Sequence, residues 1–445
     1  MELESVLPSW CALKPAHALC CLSIVACYLL FSYMPVSNSV TWHDVSASKV
    51  LASNDLLPLS AGIRHLETGT IGLSLITYLY ELGGPQCLSI TFSLLQTVTL
   101  LLFALAVYRV SGSLLFAAIV PVVITAAAFF EISGLSRGTF GMLFLSLLTL
   151  LLADWRDDSH GIVKWSEVSV WRWAMMAVLF IVWTNFHASF CVGLIVLLCF
   201  AAAQIVKLPN SFFREREFQS RVWLFELALL ITLISPHGIK LWSAMLWFPD
   251  HPIVNQLGGW GATSMAGWNG FAIAAMWLVW VFASRFSERI PAFTTLVAVA
   301  MTVLTAACSS CMAWLVPIML IAIADLFPVQ TKRTVPENTI TRRPLQFAFT
   351  LLAVLTLWIG FSFSPVGSIV FGDSSRTQQQ ILGDTLPVAA TTILRETRTT
   401  VCYGAQLIGA VGCNLKPIGT CLQMHQCTGC PKKLSMITTA SSTPA

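Results

Sequence analysis

The sequence predicts an all-α fold, a polytopic transmembrane helical bundle of about eleven spans, and three observations predict it. First, 56% of the 445 residues are hydrophobic and only 10% are Asp, Glu, Lys or Arg, against about 25% charged in an ordinary soluble domain. So few charges cannot coat a water-exposed surface, which excludes a soluble multidomain enzyme. Intrinsic disorder, which needs low hydrophobicity and high charge, is excluded on the same ground. Second, apolar runs near the ~20 residues that cross ~30 Å of hydrocarbon recur along the chain. Third, the Lys and Arg between these runs fall mainly on alternate connections. The net charge of +4 is small and scattered, so no nucleic-acid partner is expected.

The expected spans, in order, are 16–36, 86–110, 113–130, 138–153, 171–183, 187–206, 222–234, 271–284, 291–307, 311–327 and 345–363. The first reads as a retained anchor, because Glu2, Glu4 and Lys14 precede it and no basic leader does. Between it and the second lies a long loop, 37–85, containing a thirteen-residue apolar piece, 70–82, with Tyr78, Tyr80 and Glu81. That length suits an interfacial or re-entrant helix better than a crossing. The remaining spans are joined by short connections, except for a longer one over 235–268.

Charge counting fixes the expected orientation. With 70–82 not crossing and the N-terminus cytoplasmic, 15 of the 25 Lys and Arg fall inside, from Lys14 through Lys207, Arg214, Arg216 and Arg221 to Arg343. The outer loops hold four, Lys49, Arg64, Arg137 and Lys240. This bias follows the positive-inside rule. Residues 1–363 then form the bundle and 364–445 an extracytoplasmic C-terminal tail, and the irregular segments 37–85, 131–137, 184–187 and 235–268 share the outer side. Chemistry is expected there, against the membrane face.

Candidate residues follow from that placement. The first outer loop carries His43-Asp44, Asp55, Arg64-His65 and Glu67. A carboxylate beside the membrane can act as general base or bind a hard cation; Asp44, with His43 beside it, is the strongest candidate. Arg137, an outer cation just after Glu131, can fork onto a headgroup phosphate or simply snorkel at the interface. Asn185 and His187 lie in a connection with almost no loop, where polar side chains face a bundle interior or cap the turn. Ser235-Pro236-His237-Gly238 carries the usual helix breakers, with a structural role favoured and His237 an interfacial contact.

Of the fourteen cysteines, those in the apolar runs read as small hydrophobes. Cys308-Ser309-Ser310-Cys311 has redox spacing, but no βαβ pattern surrounds it, so a structural reading is favoured. His425, Cys427 and Cys430 in the tail suggest zinc or disulfides, without the second half of a zinc knuckle. No phosphate-binding glycine loop, nucleophile elbow or metalloprotease helix occurs.

Two segments carry a resemblance. Trp183-Thr184-Asn185-Phe186-His187-Ala188-Ser189-Phe190 is similar to a W-x-N-x-H-G-S-F segment, and Ile234-Ser235-Pro236-His237-Gly238-Ile239-Lys240-Leu241 to an N-P-x-G-x-x-L segment, of bacterial multi-pass proteins related to GT-C glycosyltransferases. Leu82-Gly83-Gly84-Pro85, Ser136-Arg137 and Thr385-Leu386-Pro387 also fit, so the resemblance spans roughly residues 16–400. It implies an integral enzyme of the cytoplasmic (inner) membrane, surrounded by membrane lipids, that takes a sugar from a polyprenyl-phosphate donor on the outer face. It also implies Asp44 and His43 as catalytic, with a divalent cation as a conceivable cofactor. Arg137, Asn185, His187, His237 and Lys240 would bind substrate, and 70–82 would shape a groove for the lipid.

The chain departs from the pattern where relatives have a Glu before Trp, here Gly259-Trp260, and where they have Arg, here Ser310-Cys311-Met312. After about Thr400 it turns Cys-rich, whereas a displaced reading frame over Gln406–Met436 permits the family's Trp- and Asn-rich continuation. The resemblance therefore implies that these last residues are out of frame. The alternatives are a non-catalytic membrane protein, which the missing charges favour, and a transporter or flippase of a lipid-linked solute. Inverted repeats and midplane helix breaks, the marks of a transporter, are not evident.

Overall fold

The computed structural model describes residues 13, 15–36, 41–42, 45, 69–153, 170–207, 216–247, 261–327 and 343–371. His43 and Asp44, most of the first long loop and the Cys-rich tail lie outside the described residues. Among the described residues every regular element is helical and no strand occurs, so the fold is all-α.

The helices are α1 (Pro15–Tyr33), α2 (Thr70–Ser111), α3 (Leu114–Ala127), the single turn α4 (Phe129–Ile132), α5 (Arg137–Ala153), α6 (Val170–Phe186) and α7 (Phe190–Lys207). They continue with α8 (Arg216–Ile231), α9 (Ile239–Trp247), α10 (Trp268–Ser284), α11 (Ala292–Ala307), α12 (Met312–Asp325), α13 (Arg343–Ser362) and α14 (Pro365–Val370). Among the described residues, α1 and α2 are long and apolar enough to cross a membrane, while α3, α5 to α7 and α10 to α13 carry apolar stretches of 10–17 residues. At 1.5 Å per residue, a helix of 14 to 17 residues reaches about 21–26 Å. Many helices are apolar on their outward faces as well as inside. Leu278 is 71% exposed on α10, Val303 65% on α11 and Leu351 58% on α13. Such a surface is stable against lipid rather than water, as expected of a membrane-associated protein.

The 70–82 piece is not separate from the span that follows. It is the first limb of α2, which runs for 42 residues through a kink. Gly84 sits at φ 61, ψ −153, a conformation essentially restricted to glycine, and Pro85 has no N–H to continue the first limb's ladder. The limb is pinned at both ends. A Cβ on Gly72 would lie 2.7 Å from the Phe186 carbonyl oxygen, so this backbone closely abuts the end of α6. Tyr80 meets the edge of Trp42, whose indole donates to the Val36 carbonyl just beyond α1. The first limb therefore runs across one end of the bundle, and the second descends through it.

Contacts between helix ends establish an antiparallel alternation. At the end crossed by that limb, Tyr33 donates to the Phe363 carbonyl, Trp268 to the Ala127 carbonyl and Asn269 to Glu131, while Asn185 reaches the Ile234 carbonyl. At the opposite end Cys20 meets the Leu114 carbonyl, Thr294 donates to Asp325, and Arg221 spans from α8 to the Phe200 carbonyl of α7. Of the ten Lys and Arg among the described residues, eight belong to the opposite end: Arg109, Arg172, Lys207, Arg216, Arg221, Arg285, Arg289 and Arg343. Arg137 and Lys240 belong to the first. Between the ends, Phe31, Phe92, Leu100, Phe103 and Ile124 are among the buried side chains joining α1, α2 and α3, with Phe31 and Phe92 edge to face at 5.7 Å.

Candidate functional site

The first end gathers most of the polar residues singled out by sequence. Its centre is the tight connection between α6 and α7. Trp183, fully buried, donates its indole N–H to Ser189 Oγ at 2.9 Å, and the Ser189 backbone N–H donates to His187 Nδ1 at 3.1 Å. Because Nδ1 accepts, the neutral ring carries its proton on Nε2. The His187 ring stacks on Trp314 of α12, with centroids 6.4 Å apart and planes at 23°.

Gly141 of α5 makes this approach possible. A Cβ there would lie 2.2 Å from Ser189 Oγ, 2.7 Å from the Trp314 ring and 3.2 Å from His187 Nδ1. One turn earlier on the same helix stands Arg137, whose Cγ would be 3.6 Å from a Cβ on Gly72. Arg137 thus stands one turn along α5 from Gly141, which His187 approaches, and beside the first turn of α2. Helix N-termini present unpaired N–H groups and the positive end of the macrodipole. Together with the guanidinium they favour an anion. Phe140 and Phe144 of α5 pack on Phe186, with ring centroids at 5.3 and 5.6 Å, and join α5 to the end of α6.

Asn185 performs the capping role that sequence alone allows. Its amide donates to the Ile181 carbonyl at 2.8 Å and to the Ile234 carbonyl at 3.4 Å, tying α6 to the turn after α8. In that turn His237 Nε2 and Ser235 Oγ are buried without a hydrogen-bond partner. Trp242 seals its far side by donating to Thr232 and packing on Phe190. Lys240 is exposed, in the first turn of α9. The structure therefore groups Arg137, His187 and Asn185, sets His237 in the adjoining turn and leaves Lys240 at the rim. Asp44 and His43 lie outside the described residues; their neighbour Thr41 donates to the Leu135 carbonyl, two residues before Arg137, and Val45 is buried.

Sequence reading singled out neither Glu131 with Asn269 nor the approach of Ser189 and Trp314 to Gly141. Glu131 accepts from Asn269 at 2.7 Å through Oε1, while Oε2 is buried with no partner. The available signal was a carboxylate within the otherwise apolar turn Phe129–Ile132. Beside it, an open apolar groove of about 560 Å³ runs between α1 and α3, lined by Cys27, Leu30, Val122, Thr125, Phe130 and Trp268. Among the described residues no three His, Cys, Asp or Glu side chains gather closely enough to hold a metal ion. The chain matches no family model and no curated protein.

Proposed function

We propose that this chain is a membrane glycosyltransferase of the GT-C kind, transferring a sugar from a polyprenyl-phosphate donor at the extracytoplasmic face of the cytoplasmic membrane. The observation that carries the reading is the corner where Arg137 adjoins the N-terminus of α2 and stands one turn along α5 from Gly141, which His187 closely approaches. In this reading the guanidinium and the helix N-termini hold the donor phosphate and neutralise it as the sugar leaves. The His187 Nε2–H is a donor for a sugar hydroxyl, and the ring stacked on Trp314 offers an apolar wall. The groove beside Trp268 suits the first isoprene units of the lipid tail.

Asp44 is the proposed general base. It would take the proton of the acceptor hydroxyl as that oxygen bonds to the sugar's anomeric carbon and the bond to the phosphate oxygen breaks. The tether of Thr41 to the carbonyl two residues before Arg137 supports a base reaching the same corner. The proposed topology has about eleven spans, counting α1, the second limb of α2, α3, α5 to α8 and α10 to α13, with the N-terminus cytoplasmic. The gathering of basic residues at the end opposite Arg137 supports that orientation.

The test is transfer of labelled sugar from a polyprenyl-phosphate donor by the full chain in lipid vesicles. Asp44→Asn is expected to lower the rate by about 10²–10⁴-fold and Arg137→Ala by about 10²–10³-fold, both variants retaining the wild-type thermal midpoint. Transfer unchanged in both variants would remove these roles. No transfer by the wild-type chain from any polyprenyl-phosphate sugar would favour a non-catalytic role, the reading suggested by Gly259 and Ser310-Cys311 at positions where charges are expected.

A further inference from the structure

Most cysteines among the described residues are explained by their helices, but Cys308 and Cys311 are not. They stand in the connection between α11 and α12, where Cys308 is extended (φ −142, ψ 108) and Ser309–Cys311 forms one 3₁₀ turn. The Cys311 N–H donates to the Cys308 carbonyl at 3.0 Å. A closed four-residue turn of this kind holds its outer Cα atoms within about 7 Å, which overlaps the span a disulfide bridges. The thiols are already hydrogen-bonded to each other.

The turn is braced from outside. The Ser309 N–H donates to the Gly261 carbonyl at 3.0 Å, and the Thr263 N–H to the Ala306 carbonyl at 3.1 Å. The Thr263 hydroxyl also reaches the Thr305 carbonyl. Both cysteines are half-buried rather than sealed. Their separation is therefore fixed by the backbone while reagents still have access.

We infer that Cys308 and Cys311 are a reversible dithiol–disulfide pair that exchanges with small-molecule disulfides. The Cys308 thiolate attacks a disulfide RSSR, forming a Cys308–S–S–R mixed disulfide and releasing RS⁻, which takes up a proton. Cys311, losing its proton, then attacks the Cys308 sulfur and expels the second R group as RSH. The balance is two protein thiols and RSSR converted to one protein disulfide and two RSH. Cys308 is suited to the first attack because the hydrogen bond from Cys311 brings its thiol down to about 7, so a substantial fraction is thiolate near neutral pH. The pair borders the proposed sugar site, since Trp314, which stacks on His187, lies one turn beyond Cys311, but its chemistry does not depend on that reading.

The test uses the full chain in detergent, equilibrated with mixtures of reduced and oxidised glutathione, acid-quenched and alkylated. Complete tryptic digestion gives a peptide running from Ile290 to Lys332 whose only cysteines are Cys308 and Cys311, so its mass reports this pair alone. Both alkylation sites should disappear together in one two-electron step, leaving a peptide two hydrogens lighter than the dithiol, and dithiothreitol should restore both. In Cys311→Ala, which removes both the second thiol and its hydrogen bond, Cys308 should instead retain one glutathione. Its alkylation at pH 7 should slow by about fivefold, because fewer thiolates outweigh their greater nucleophilicity, and its rate should reach half-maximum well above pH 7. A wild-type peptide that stays a dithiol in excess oxidised glutathione, or that takes up two glutathiones without an internal bond, would overturn the inference whether or not the variant folds.

Discussion

At Gly141 a single hydrogen in place of a side chain lets three groups meet. An added methyl would lie 2.2 Å from Ser189 Oγ and 2.7 Å from the Trp314 ring, and neither can easily retreat. The hydroxyl is the acceptor for a fully buried indole, and Trp314 is itself buried. Gly141→Ala is therefore expected to cost about 1–3 kcal/mol as an overpacked site, read as a lower thermal midpoint of the purified protein. Gly261→Ala, where an added Cβ meets nothing within 4 Å, is the matching control. Equal midpoints for the two variants would show that the corner is looser than these distances require. Of this cluster, sequence reveals the polar members: Asn185 and His187 stand out because polar groups are costly at membrane depth. Gly141, Ser189 and Trp314 do not, because a glycine and a tryptophan in apolar helices and a serine in a short turn are unremarkable until another helix is laid against them.

Among the elements, the kinked α2 shows how local grammar and packing divide the work. The thirteen-residue length of 70–82 announces, from the sequence alone, a piece too short to cross; the break at Gly83-Gly84-Pro85 is a finding of the structure. That this piece continues into the next helix, and that its two ends rest on Phe186 and Trp42, are tertiary facts. The break depends on Gly84, whose φ of 61 with ψ near −153 strains any other residue. Gly84→Ala is expected to destabilise the fold by about 1–3 kcal/mol, although the position is sterically open. The check is chemical denaturation of that variant against a surface Gly→Ala variant. A loss confined to Gly84→Ala would show conformational cost rather than crowding. The Cys308 pair is a second case: its spacing is visible in sequence, but the 3₁₀ turn and the shared thiol hydrogen bond that give it chemical meaning are not.

For the molecule as a whole, the two ends differ in charge and in chemistry. Eight of the ten described Lys and Arg belong to one end, and Arg137, His187, Asn185, His237 and Glu131 to the other. If lipid surrounds the bundle, the positive-inside rule orients it with the first group in the cytoplasm. Reporter fusions in the 208–215 connection should then signal a cytoplasmic location and fusions in the 133–136 connection an external one. The reverse result would move the Arg137 corner to the cytoplasm and withdraw the proposed extracytoplasmic donor. The sequence by itself determined the helical class, the apolar runs and the charge alternation, because an apolar solvent leaves the backbone no partners but its own and confines charge to the ends. Tertiary structure alone decided which residues share a corner. Helix rotation and close approach depend on side chains contributed by segments far apart in the chain, and no local pattern records them.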